Sequence, residues 1–64
     1  MWAPLMTAPN RYVAETLREL LFAEGVSVRF VVEPDRKDEG DFAPVILMVP
    51  DSKTHVAREI LGKV

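Results

Sequence analysis

The chain has 64 residues, enough for one domain, and a formal net charge of −2. A domain this small buries only about 60% of its unfolded surface, so its core is marginal. The absence of cysteine and the single histidine exclude disulfides, thiolate metal sites and multi-histidine centres as its supports. Association with another chain is the support that remains. The acidic balance argues against nucleic-acid binding, and no apolar run approaches the roughly 20 residues of a membrane span. MWAPLMTAPN has neither a basic n-region nor an apolar h-region, so a signal peptide is not expected and a cytoplasmic location is.

The five prolines, at positions 4, 9, 34, 44 and 50, fall between apolar segments. Each lacks a backbone donor and restricts the residue before it, which marks element boundaries. Pro4 to Ala8 reads as a short edge strand, with Trp2 extending it or packing over the sheet end. Asn10 to Gly25, NRYVAETLRELLFAEG, follows as a helix. Val13, Ala14, Leu17, Leu20 and Leu21 fall on one face of a 3.6-residue period. Asn10 suits the N-cap and Gly25 the C′ position.

Val26 to Glu33, VSVRFVVE, alternates. Val26, Val28, Phe30 and Val32 fall on one side, and Ser27, Arg29, Val31 and Glu33 on the other, as in a half-buried strand. PDRKDEGDF, Pro34 to Phe42, is polar up to its last residue and reads as a mobile, charged hairpin loop. Glu33 to Asp41 carries five acids against Arg36 and Lys37, which concentrates the negative charge there. Val45 to Val49, VILMV, is apolar on both faces and belongs in the middle of a sheet or against a second covering layer. Pro50 stops it. Asp51 reads as the N-cap of a second helix from Ser52 to about Lys63. That helix carries a stripe of Val56, Ala57, Ile60 and Leu61, with Val64 at its end, and a Glu59–Lys63 pair at i,i+4.

The order β-α-β-β-α predicts an α+β fold of the ferredoxin-like, split-βαβ type. A β-α-β crossover leaves a gap between its parallel strands, and the third strand fills it antiparallel. The predicted sheet has three strands in the order 1-3-2, with both helices on one face and no closing strand. No element is left for the second face, where Val31, Ile46, Met48 and Met6 are expected. Apolar patches of this kind mark interaction surfaces. Phe22 lies outside the helix stripe and joins them as a candidate partner-binding residue.

Chemistry is sparse. His55 stands four residues after Asp51, but one imidazole without a second ligand of its kind makes a poor metal site. No nucleophile elbow or phosphate-cradling Gly-rich loop is present, and DRKDEGD lacks EF-hand spacing. Neither catalysis nor a cofactor is expected.

TAPN (Thr7 to Asn10), AETLRELLFAEGV (Ala14 to Val26) and MVPDSKTHVAREIL (Met48 to Leu61) together resemble a small bacterial domain family described as prokaryotic signal-transducing proteins. Its members share a Thr-Ala-x-Asn opening, a leucine-rich helix ending in Glu-Gly and a Val-Pro-acid step into the last helix. The chain departs from that pattern at Phe22, where the family tends to be polar, and at Met6, where an aromatic is common. The resemblance implies a compact ferredoxin-like domain with a signalling role and no defined catalytic residues. The expected function is a non-enzymatic regulatory or interaction module that binds a protein partner or itself as a homodimer through the uncovered apolar sheet face, and neither nucleic acid nor membrane. The alternative is a sensor of a nucleotide or amino acid, using Asn10, Arg11 and the charged loop at a sheet edge or dimer interface.

Overall fold

A computed structural model describes residues 1–62, with Lys37 described by its backbone alone. The elements are β1 (Trp2–Ala8), α1 (Arg11–Ala23), β2 (Arg29–Val32), a 3-10 segment (Pro34–Phe42), β3 (Val45–Pro50), a 3-10 turn (Asp51–Lys53) and α2 (Thr54–Leu61). The fold is α+β. Its sheet runs β1-β3-β2, and β3 pairs antiparallel with both neighbours, so the doubly apolar segment occupies the centre as expected.

Both caps of α1 form as their residue types dictate. The Asn10 side-chain oxygen accepts a hydrogen bond from the Val13 amide at 3.0 Å. At the other end Gly25 has φ +82°, the left-handed conformation that lets glycine end a helix without a Cβ penalty. The Gly25 amide donates to the Phe22 carbonyl and the Val26 amide to the Leu21 carbonyl, both at 2.9 Å, which is the Schellman pattern. Its hydrophobic companion is present too, because Leu21 and Val26 lie in one buried cluster.

The core is a single layer between helices and sheet. Val45 and Leu47 pack with Ala8 and Ala14, while Val49 packs with Leu21, Val26 and Ala57. Val45, Leu47 and Val49 alternate along β3, so they share one side of it, and residues of α1 and α2 reach that same side. Both helices therefore cover one face. The predicted helix stripe is only partly used: Ala14 and Leu21 are buried, Leu17 is half-buried, and Val13 and Leu20 remain exposed at the flanks.

Several local expectations need correction. Trp2 extends β1, one of its two expected placements, so Pro4 lies within the strand rather than at its start, which an edge strand tolerates because an outward-facing position needs no donor. The register slips between Pro4 and Met6, leaving Leu5 as an extra residue in a β-bulge. β2 spans Arg29–Val32 rather than Val26 to Glu33. Val26 is consumed by the helix cap and by the core. Pro34 to Phe42 connects β2 to β3 as expected, but it is wound into 3-10 turns kinked at Gly40 (φ 63°, ψ −132°). Asp51 does not cap α2 through its side chain. It sits in a 3-10 turn, where its carbonyl accepts from Thr54 Oγ1 at 3.0 Å and its amide donates to the Met1 carbonyl at 2.7 Å. His55 meets Glu59 at 3.1 Å on the exposed side of α2, not Asp51. Lys63 and Val64, invoked for the Glu59 pair and the end of the stripe, lie outside the described residues.

Candidate interaction surface

The alternation that buries Val45, Leu47 and Val49 turns Ile46, Met48 and Pro50 to the opposite face, where each is half-buried. Directly opposed residues of an antiparallel pair share a face. Register therefore places Thr7 beside Ile46, Pro4 beside Met48 and Trp2 beside Pro50 on the β1 side. On the β2 side it places Val31 beside Ile46 and Arg29 beside Met48. The result is an apolar strip with Ile46 and Met48 along its middle, flanked by Val31 at 39% exposure. No described helix packs on this side.

One polar group crosses the strip. The Arg29 guanidinium lies 4.6 Å from the centroid of the Trp2 ring, spanning from β2 toward β1 over the central strand. A cation on an aromatic face is an attractive contact, weak where water reaches it. It lies at the Met48 end of the strip, where Arg29 is in register with Met48. Trp2, Arg29 and Pro50 were not among the expected surface residues. Extending the period-two pattern of VSVRFVVE back from Val31 marks Arg29; Trp2 reaches the strip by extending β1.

Of the expected partner-binding residues, Val31, Ile46 and Met48 come together. Met6 does not join them, because the bulge puts it in register with Leu47 of the buried row, and it is exposed at the margin. Phe22 is 73% exposed but stands on α1, across the sheet from the strip. There it lines an open hollow of about 550 Å³ with Arg18, Ala23, Ser27 and Val28.

The expected ligand residues separate in a similar way. Asn10 spends its side-chain oxygen on the helix cap. Arg11 lines a second hollow, of about 480 Å³, with Phe30, Val32, Gly40, Asp41 and Val45. Its guanidinium is held by Glu15 at 2.9 Å and approached by Asp41 at 3.6 Å. The hydrogen bond to Glu15, then the charges of Glu15 and Asp41, raise the Arg11 pKa further above its ordinary value. Tyr12 and Phe42 approach with ring centroids 6.2 Å apart, and the Tyr12 hydroxyl donates to Asp41 at 3.5 Å. These contacts tie the 3-10 segment to the start of α1. Between the two hollows the Arg18 guanidinium stacks 5.1 Å from the Phe30 ring centroid.

Among the described residues no three of His, Asp or Glu are grouped as metal ligands would be, and no helix is long and apolar enough to cross a membrane. Comparison of the chain with protein-family models, curated proteins and solved structures gives no match.

Proposed function

We propose that this chain is a non-enzymatic interaction module, of ferredoxin-like type without the closing strand, that binds a protein surface through the uncovered face of its sheet. One observation carries the reading. The central strand is apolar on both sides, and the helices roof only the Val45–Leu47–Val49 side. Leaving Ile46, Met48 and Val31 in water forgoes burial worth roughly 25 cal/mol per Å². A partner recovers that burial, and a domain with so small a core gains most from it. The resemblance of three segments to prokaryotic signal-transducing domains favours a regulatory setting for the binding.

The test compares affinity capture by the wild-type chain and by Ile46→Lys/Met48→Lys, with folding of both checked by circular dichroism. The reading expects a specific protein retained by the wild type and lost from the folded double variant. An unchanged set of captured proteins counts against it.

A second reading rests on the hollow beside Arg11, which the 3-10 segment closes on one side. There the chain would act as a sensor of a small anion-bearing ligand such as a nucleotide or amino acid. Thermal-shift screening separates the two, because a ligand at 100 times its Kd adds about 2.7 kcal/mol of stability. No shift across a panel of nucleotides and amino acids retires the sensor.

A further inference from the structure

The two rims of the sheet are not alike. β1 carries Pro4 and a bulge at Leu5, and both spoil a strand as a template for another. β2 has neither from Arg29 to Val32, and Glu33 continues the extended backbone with φ −62° and ψ 130°. Its outer edge therefore offers backbone groups to a further strand. The side chains along that edge read Arg29, Val31, Glu33 on the face away from the helices, so a cation and an anion stand symmetrically about a valine.

We infer that β2 pairs antiparallel with β2 of a second copy about a two-fold axis at Val31, joining two sheets into one of six strands. In that register Val31 faces Val31 of the second copy, and Arg29 of each chain faces Glu33 of the other. Directly opposite residues in an antiparallel pair have Cβ atoms about 4.5–5.5 Å apart, close enough for both ion pairs to form. The sequence is thus complementary to itself in one register, as a two-fold interface requires. On the helix side Phe30 meets Val32 of the second copy. Val28, on the wall of the hollow beside Phe22, comes opposite Pro34 of the second copy. Arg29 is exposed although Trp2 beneath it is half-buried, so its stack is weak enough for a cross-strand carboxylate to draw the guanidinium away.

The pairing concerns the rim of the sheet and stands apart from binding through its face. It leaves Val31, Ile46 and Met48 of both copies on one continuous surface, so either idea can fail while the other holds.

Sedimentation velocity from about 1 µM to about 1 mM reads the association. Arg29→Glu and Glu33→Arg each turn two attractive cross-strand pairs into two repulsive ones, which weakens dimerisation about tenfold. An equimolar mixture of the two variants restores both attractive pairs in the heterodimer and recovers the wild-type affinity. Because the chain has no native cysteine, Val31→Cys gives an independent readout. Residues facing each other across the two-fold axis lie within disulfide range, so mild oxidation cross-links Val31→Cys about tenfold faster than Met48→Cys. A wild-type chain that stays monomeric throughout, a mixture no tighter than its components, or equal cross-linking at both positions overturns the inference.

Discussion

Leu47 and Met48 are chain neighbours on the same strand, and alanine at each should have very different consequences. Leu47 has no solvent exposure and is opposed by Phe30 on one side and Met6 on the other. Truncating a buried leucine costs about 2–5 kcal/mol, depending on how far the surroundings collapse into the void. Here Ala8 and Ala14 line the site and have no side chain to swing inward, so a value near 4 kcal/mol is expected. Met48 is half-buried with no described element above it. Its truncation loses roughly half of a methionine's transfer energy and opens no cavity, about 1 kcal/mol. A 64-residue domain has only about 3–10 kcal/mol in total at roughly 0.05–0.15 kcal/mol per residue. In urea, with a slope near 1 kcal/mol per M for so small a chain, Leu47→Ala lowers the midpoint by about 4 M or abolishes folding. Met48→Ala lowers it by about 1 M. The experiment belongs at low micromolar concentration, where self-association does not contribute. Equal losses at the two positions would mean that both faces of β3 are covered within one chain, and the proposed interaction surface would go with them.

Other expectations follow from the caps and turns. Asn10→Ala removes the acceptor for the Val13 amide and should cost about 1 kcal/mol in chemical denaturation. Gly25→Ala meets no atom within 4 Å, so its cost of about 1–2 kcal/mol arises from the positive φ alone; a neutral result would show that the helix end relaxes. Gly40→Ala is strained in the same way at the kink, by about 1–3 kcal/mol, whereas deleting Asp35 to Gly40 should cost little because closure entropy changes slowly with length. A large loss on deletion would mean that the Tyr12–Phe42 and Arg11–Asp41 contacts anchor the fold. The hydrogen bond from Arg36 holds the Glu39 carboxyl below its ordinary pKa against an opposing desolvation, and the Arg36 charge adds a smaller lowering. That contribution is therefore present above the unfolded carboxylate pKa and is lost as pH falls through the folded value. Acid titration of stability should show a small decline there that Glu39→Gln removes and salt weakens, and an identical decline in the variant would assign it to another carboxylate.

The parts of the fold visible in the residues were those where local and global demands coincide. Asn10 and Gly25 bound α1 because a cap needs a side-chain acceptor at one end and a left-handed residue at the other. Double-sided hydrophobicity put VILMV in the middle of the sheet, and the strand order followed from it. The misreadings fall where a backbone group had two possible partners. Val26 fits the β alternation, yet its amide completes the helix cap, so β2 starts three residues later. Asp51 is a good cap residue by type, but the chain turns through a 3-10 segment and the contact passes to Thr54. PDRKDEGDF looked irregular because its apolar content is confined to Phe42, and the contact with Tyr12 that holds its end lies 30 residues away in the chain. The open strip was legible for Val31, Ile46 and Met48, whose faces follow from simple alternation. Met6 was misplaced because a bulge shifts the phase by one residue, and no residue type announces a bulge at Leu5.

The interaction surface exists only if one face of the sheet meets water. Methyl NMR of the dilute, monomeric chain with a soluble paramagnetic agent tests it directly. Strong broadening of the Ile46 and Met48 methyl signals is expected, with those of Leu47 and Val49 left sharp. Signals of Ile46 and Met48 as protected as those of Leu47 would contradict it.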